Sequence, residues 1–313
     1  MIDFGIFVIS MAALIFGADF IIKEAERIAL RFNISHYVIG ATLVAFGTSL
    51  PEMAASVVAS YHHKSDMAVA NVIGSVTFNI TLVLGVVFLL SKKMHPKRDL
   101  FNLDSAWIVI PLVILFLMIQ DGVVGRFDGA LFVLLMVSYL IFLFTSAKEA
   151  LNVDIDEKEV DEAHFKWLPT IAMLVVGFVL TVGGANFAVE SGSNIARSFG
   201  VSEWLIGLFL LAFGTSLPEL VVSVVAAKKG NAEMSIGNII GSNVANFSMV
   251  IGSAALVHPL TIDLQASSYD LYVMVAASLA LLFILANKLY NKAGAIFLLI
   301  IFALFVQNAI TAS

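Results

Sequence analysis

Long apolar runs, interrupted by short polar stretches, organise this chain from end to end. A membrane helix needs about 17 to 25 mainly apolar residues to cross a hydrocarbon core of roughly 30 Å. Ten segments reach that length, near residues 3–22, 38–61, 67–91, 105–121, 129–147, 168–189, 205–227, 234–257, 269–287 and 293–311. The pattern predicts an all-α integral membrane protein with ten transmembrane helices. Composition agrees: 60% of the 313 residues are hydrophobic, 13% are charged and the mean hydropathy is +0.99. The lipid bilayer is therefore the expected surrounding. The opening stretch MIDFGIFVIS has no basic region before its apolar segment and no small-residue cleavage pattern after it. It reads as a retained membrane helix and not as a signal peptide.

The polar positions add orientation. Basic residues are retained on the cytoplasmic side of a membrane. Lys23, Arg27, Arg31, Lys92, Lys93, Lys97, Arg98, Lys148, Lys158, Lys166, Lys228, Lys229, Lys288 and Lys292 follow odd-numbered spans, and only Lys64, Arg126 and Arg197 follow even-numbered ones. Fourteen against three predicts a multi-pass protein of the cell (inner) membrane with both termini outside the cytoplasm.

The chain also matches itself. A shift of 167 residues pairs Gly17 with Gly184, Gly47 with Gly214, Glu52 with Glu219, Asn71 with Asn238, Ser75 with Ser242, Asn79 with Asn246 and Gly85 with Gly252, without a gap from residue 17 to 85. Each half then holds five spans, and an odd number makes the second copy enter the membrane the other way round. The expected organisation is two inverted five-helix repeats, residues 1–147 and 168–313, joined by an acidic cytoplasmic linker, 148–167. Inverted repeats are common in secondary transporters, whose substrate sites lie at the midplane between the copies. Within the linker, EALNVDIDEKEVDEAHFK lacks the glycine of a calcium-binding loop and reads as a solvated connection, ahead of a regulatory cation site.

Candidate chemistry sits in two of the apolar runs. Glu52 is the only charged residue in VIGATLVAFGTSLPEMAASVVASY, and Glu219 the only one in LIGLFLLAFGTSLPELVVSVVAA. An ionisable group at that depth costs about 2.5 kcal/mol or more and usually marks an ion path. Pro51 and Pro218 cannot donate to the carbonyls of Gly47 and Gly214, so each helix should kink and free backbone oxygens. Such irregular backbone is tolerated where it lines a cavity. Ala45, Thr48, Ser49 and Glu52 are spaced by three and four and should share a helix face, as should Ala212, Thr215, Ser216 and Glu219. Asn71, Ser75 and Asn79 form a stripe at four-residue intervals, matched by Asn238, Ser242 and Asn246. Alone, a stripe of this kind often only bonds helices together; beside a carboxylate in both copies it points to one shared site. The donors are all oxygen, which suits hard cations and not zinc or copper. Calcium fits well: two bidentate glutamates and the carbonyls of Thr48 and Thr215 would supply about six oxygens. Several sodium ions spread over the same oxygens would exclude calcium, as antiport requires.

The paired GTSLPE segments, each followed by a GS-containing helix (NVIGSVTFN and GNIIGSNVAN), resemble the two alpha repeats of the sodium/calcium exchanger family among the cation/calcium antiporters. The resemblance covers essentially the whole chain. It implies Na+-driven Ca2+ exchange by alternating access, with Glu52 and Glu219 as shared ligands and Thr48 and Thr215 supplying carbonyls. Ser49, Ser75, Ser216, Ser242, Ala45 and Ala212 would complete the sodium sites, and the first and sixth spans would slide to open either side. Two departures stand out: Asn246, where the family often has Asp, leaves Asn79 and Asn246 symmetric, and Ala70 stands opposite Gly237. A Ca2+/H+ antiporter using the same glutamates is the alternative. The neutral hydroxyls and amides favour sodium, because a proton needs only the carboxylates.

Other classes find little support. The chain has no Cys and hence no disulfide or thiolate ligand. No GxxxxGK motif is present, which argues against an ATP-driven pump; neither a nucleotide nor a nucleic acid is an expected partner. No cofactor is expected beyond the transported Ca2+ and Na+, and the serine-rich kinks lack a placed base for an intramembrane enzyme. Asp19 reads as interfacial. His36, His62, His63, His95, His164 and His258 read as solvated residues of span ends, loops and linker.

Overall fold

In lipid every backbone N–H and C=O must be satisfied within the protein, which leaves helices as the economical choice for apolar runs of this length. A computed structural model describes residues 2–91, 94–150, 166–199, 214–265 and 267–311. Apart from a two-residue antiparallel pairing of Val123–Val124 with Leu260–Thr261, the regular structure is helical. The helices are α1 (Ile2–Phe32), α2 (His36–Ile39), α3 (Ala45–Thr48), α4 (Leu50–Tyr61), α5 (Ser65–Phe78), α6 (Leu84–Leu90), α7 (Leu100–Met118), α8 (Arg126–Ala150), α9 (Trp167–Ser198), α10 (Leu217–Lys228), α11 (Ala232–Ala245), α12 (Ile251–Val257), α13 (Ser268–Ala286) and α14 (Lys292–Thr311). Three π-helical turns, Gly40–Val44, Asn79–Val83 and Asn246–Val250, are inserted between them.

Among the described residues eight continuous stretches are long and apolar enough to cross a membrane, and His36–Thr48 with Leu50–Tyr61 makes a ninth that bends by 44°. The remaining expected span, 205–227, lies partly outside the described residues, as does linker segment 151–165; α10 is its described portion. Burial separates centre from periphery. The spans Ser65–Leu90 and Ala232–Val257 are 83% buried, against 22–50% for the other six. The helices that carry the Asn and Ser stripes are thus the ones withdrawn from lipid, where their amides can find partners.

The first and sixth spans differ from expectation in length. Charge ends the apolar run at Lys23 and again at Glu190, but α1 and α9 continue to Phe32 and Ser198, 31 and 32 residues. At 1.5 Å per residue each is about 45 Å long, more than a membrane requires. The charged turns ride on the same helix beyond the core. The two helices pack closely through small residues: a Cβ at Gly17 would strike Thr181 and Gly177, and one at Gly184 would strike Ser10 and Leu14. Asp19, partly exposed, pairs with Lys23 at 2.8 Å and with Lys229 at the end of α10 at 2.5 Å. Two turns on, Glu26 accepts from Asn231, so α1 is tied to the α10–α11 turn at two points.

The difference between Ala70 and Gly237 also finds a reason in packing. Gly237 lies against α2, where a Cβ would stand 2.5 Å from the Tyr37 carbonyl oxygen, and Gly40 reciprocally touches the Met234 carbonyl. Backbone meets backbone, so there is no flexible side chain to give way. Gly237→Ala is therefore expected to lower the melting temperature in detergent, with a cost of about 1–3 kcal/mol for overpacking. Gly183→Ala, at a helix glycine with open space around its Cβ position, should not.

Candidate functional site

The site begins with two interrupted helices. The spacing of Ala45, Thr48, Ser49 and Glu52 would place them on one face of a continuous helix, but the chain breaks at Ser49 (φ −86°, ψ 4°) and restarts as α4 with Pro51 in its first turn. Proline has no N–H to lose there, and its fixed φ suits a helix start. The same break recurs 167 residues on, at Ser216 (φ −89°, ψ 4°), with Pro218 opening α10. Each carboxylate consequently lies in the first turn of a helix, Glu52 in α4 and Glu219 in α10. The free N–H groups there favour negative charge.

Side chains from the two halves interleave around these breaks. Glu52 and Glu219 are fully buried. Ser49 Oγ donates to Glu219 Oε1 at 3.2 Å, whereas Thr215 and Ser216 stand beside Glu52, and Thr48 and Ser242 beside Glu219. Thr48 Oγ1 donates to Asn238 Oδ1 at 3.4 Å, and Thr215 Oγ1 to Asn71 Oδ1 at the same distance. Ser75 Oγ lies 3.5 Å from Thr215 Oγ1. The amides of Asn71 and Asn238 are held in turn by Ser56 and Ser223, each at 2.9 Å. Asn71 also donates to the Glu52 carbonyl at 3.1 Å. The structure therefore joins Glu52, Glu219, Thr48, Thr215, Ser49, Ser216, Ser75 and Ser242, with Asn71 and Asn238 around them. Asn79 and Asn246 are fully buried at the start of the two π turns. The Ala45 carbonyl accepts from Ser49 N–H, and Thr48 Oγ1, whose one hydrogen it shares with Asn238 Oδ1, lies 3.2 Å from it. Ala212 lies outside the described residues.

Several buried atoms here have no hydrogen-bond partner: both oxygens of Glu52, Oε2 of Glu219, Oδ1 of Asn79, both polar atoms of Asn246, and the hydroxyls of Ser216 and Ser242. An unsatisfied buried polar group costs about 1–3 kcal/mol. All but one of these atoms are oxygens, so the set is suited to a cation. Among the described residues no three His, Asp or Glu side chains cluster; the negative charge of the set rests on two glutamates amid neutral oxygens. A cavity of about 420 Å³ reaches Asn71 and Thr215 and is walled by Asn186, Glu190, Asn194 and Arg197 of α9. Thr215 is half-buried on that side, but Thr48 is fully buried. Its neighbour Gly47 is covered by the Phe178 ring of α9, which occupies the place of a Cβ.

Three features escaped the sequence. Ser56 and Ser223 are 167 residues apart and could have been found from the repeat register alone. The π turns leave no compositional trace. Asn243, which accepts from Asn79 Nδ2 at 3.2 Å, has Val76 as its counterpart and so no echo in the first half.

Comparison with known proteins settles the family. The sodium/calcium exchanger protein family matches residues 2–145 and 169–311. This chain belongs to that family. It is 37% identical over 292 residues to an uncharacterised membrane protein of Methanocaldococcus jannaschii, covering 93% of this chain and 91% of the relative. It is 31% identical over 325 residues to the sodium/calcium exchanger MaX1 of Methanosarcina acetivorans, covering 91% and 92%. A solved structure of the sodium-calcium exchanger NCX_Mj soaked with 2.5 mM Na+ and 0.1 mM Sr2+ superposes with a TM-score of 0.80 at 30% identity over 98% of each chain. As a member of the exchanger family the chain is a multi-pass membrane transporter of the cation/Ca2+ antiport class.

The paired amide bonds carry a stability prediction. Asn71→Ala and Asn238→Ala should each destabilise the protein by about 1–3 kcal/mol, since each removes the hydrogen bonds of a buried amide, to Ser56 and Thr215 or to Ser223 and Thr48. Thermal melts in detergent would measure this. In a double-mutant cycle Asn238 should couple with Ser223, whereas Asn238 with Asn102, whose amide bonds Asp99 and shares no partner with Asn238, should be additive.

Proposed function

We propose that this exchanger moves Ca2+ against Na+ by alternating access at a midplane site shared by the two halves. The carrying observation is the set of buried, partnerless oxygens around two carboxylates from equivalent helix breaks. Two charges neutralise one Ca2+, which removes most of the cost of holding them out of water. Glu52 and Glu219 would be the ligands common to Ca2+ and Na+. Thr48 and Thr215 carbonyls would fill the Ca2+ shell. Ser49, Ser75, Ser216, Ser242, Asn79, Asn246 and the Ala45 and Ala212 carbonyls would add the oxygens that several Na+ ions need. Because the same carboxylates serve both cations, occupation by one excludes the other, and that exclusion couples the two fluxes.

The reading extends to architecture. Ten spans form two inverted repeats, 1–147 and 168–313, about a cytoplasmic linker at 148–167, in the inner membrane with both termini outside the cytoplasm. In that orientation the cavity beside Thr215 opens away from the cytoplasm. Recurrence of the helix breaks and π turns at an interval of 167 residues supports the duplication. The glycine contacts between α1 and α9 support a pair able to slide.

Proteoliposomes containing the protein should take up Ca2+ when Na+ is present only on the opposite side. Uptake that follows a pH gradient and ignores Na+ would instead assign Ca2+/H+ antiport to the same glutamates. Glu52→Gln and Glu219→Gln should each abolish uptake while the protein stays folded, as judged by a monodisperse gel-filtration profile. Full activity in either variant would remove that glutamate from the site.

A further inference from the structure

The two halves place one amide differently. Asn79 and Asn246 occupy equivalent positions, each fully buried and each starting a π turn. Asn79 donates its Nδ2 to Asn243 Oδ1 at 3.2 Å, which leaves Oδ1 as its partnerless atom. Asn246 has no partner at either end. Of the differences between the two segments, the one that matters here is that NVIGSVTFN has Val76 where GNIIGSNVAN has Asn243. Oxygen and nitrogen of an amide lie on opposite sides of one planar carbon, so holding the NH2 end fixes where the oxygen points. Turned the other way, Asn79 would direct two N–H dipoles at any cation, a repulsive arrangement.

Asn79 continues the stripe of Ser75, whose hydroxyl meets Thr215 beside Glu52. We propose that Asn243 is a positioning residue for Na+: it holds the Asn79 amide so that Oδ1 faces the ions, and thereby makes Asn79 a preorganised oxygen ligand where Asn246 is not. The inference rests on the exchange function proposed above. Its consequence is an asymmetry in ion binding between two halves whose ligand residues otherwise match. Orienting partners behind metal ligands typically control affinity by about 10- to 100-fold.

The test is a pair of flux assays on the full-length protein in proteoliposomes: Na+-driven Ca2+ uptake, and Ca2+–Ca2+ exchange in the absence of Na+. Asn243→Val copies the first repeat. It should raise the KM for Na+ by about tenfold while the KM for Ca2+ in Ca2+–Ca2+ exchange stays near the wild-type value. Asn243→Asp retains the acceptor for Asn79 Nδ2 and should keep the Na+ KM at or below that of the wild type. An unchanged Na+ KM in Asn243→Val overturns the proposal, as does an equal rise in both KM values, the mark of a merely structural residue. Should the valine variant fail to fold, Asn243→Ala gives the same comparison. A wild-type protein that exchanges Ca2+ without responding to Na+ would sink the functional reading itself, a result distinct from either failure of the variants.

Discussion

Everything in this protein follows from the need to keep two carboxylates out of water without leaving them unpaired. An isolated buried charge is among the most unfavourable things a fold can contain. The usual remedy, a lysine or arginine, is not what surrounds Glu52 and Glu219; serine, threonine and asparagine are. A fixed cationic side chain would satisfy the glutamates permanently and end their availability. In the exchange proposed above, neutral oxygens leave the charge to be met by a cation that can depart. Arg98, partly buried with its side chain 7% exposed, is committed elsewhere, forked onto Asp104 at 2.7 and 3.0 Å and stacked 4.4 Å from the Tyr37 ring.

Helix interruption is how the backbone joins in. Breaks at Ser49 and Ser216 turn the interior of two spans into helix termini, where backbone groups lose intrahelical partners. Proline keeps the break from healing, because residue 51 or 218 can never supply the missing donor. The most buried helices, α5 and α11, then close over the breaks with asparagines that are themselves tethered by Ser56 and Ser223. The surroundings of the two carboxylates are therefore set by a second layer of hydrogen bonds on helices largely withdrawn from lipid.

Duplication makes the arrangement nearly symmetric, but a transporter needs the symmetry to be broken at any moment. Here Thr215 borders a cavity while Thr48 is covered, with the α9 residues Asn186 and Phe178 on the two sides. On the covered side Asp19 of α1 is paired with Lys229; the equivalent positions, Asn186 and His62, cannot form an ion pair of that kind. Related segments thus occupy unlike surroundings, because their sequences differ at a few contact points.

The apolar runs, the two buried glutamates and the Asn and Ser stripes were legible in the sequence, since each reflects a rule of solvation that holds residue by residue; of the ten expected spans, eight and a bent ninth lie among the described residues. Apolar length marks a span, and a lone carboxylate in such a span marks a place that must be special. Tertiary structure decided what local rules cannot carry. It ended α1 and α9 at 32 and 198 rather than at the first charges, because a helix can continue past the membrane wherever another helix supports it. It converted an expected kink into a break, so that a helix face became two helix ends. It also linked Thr48 to Asn238, Thr215 to Asn71 and Asn79 to Asn243. Those contacts join residues more than a hundred positions apart, and the orientation of an amide or the side on which a site opens depends on neighbours that no local pattern specifies.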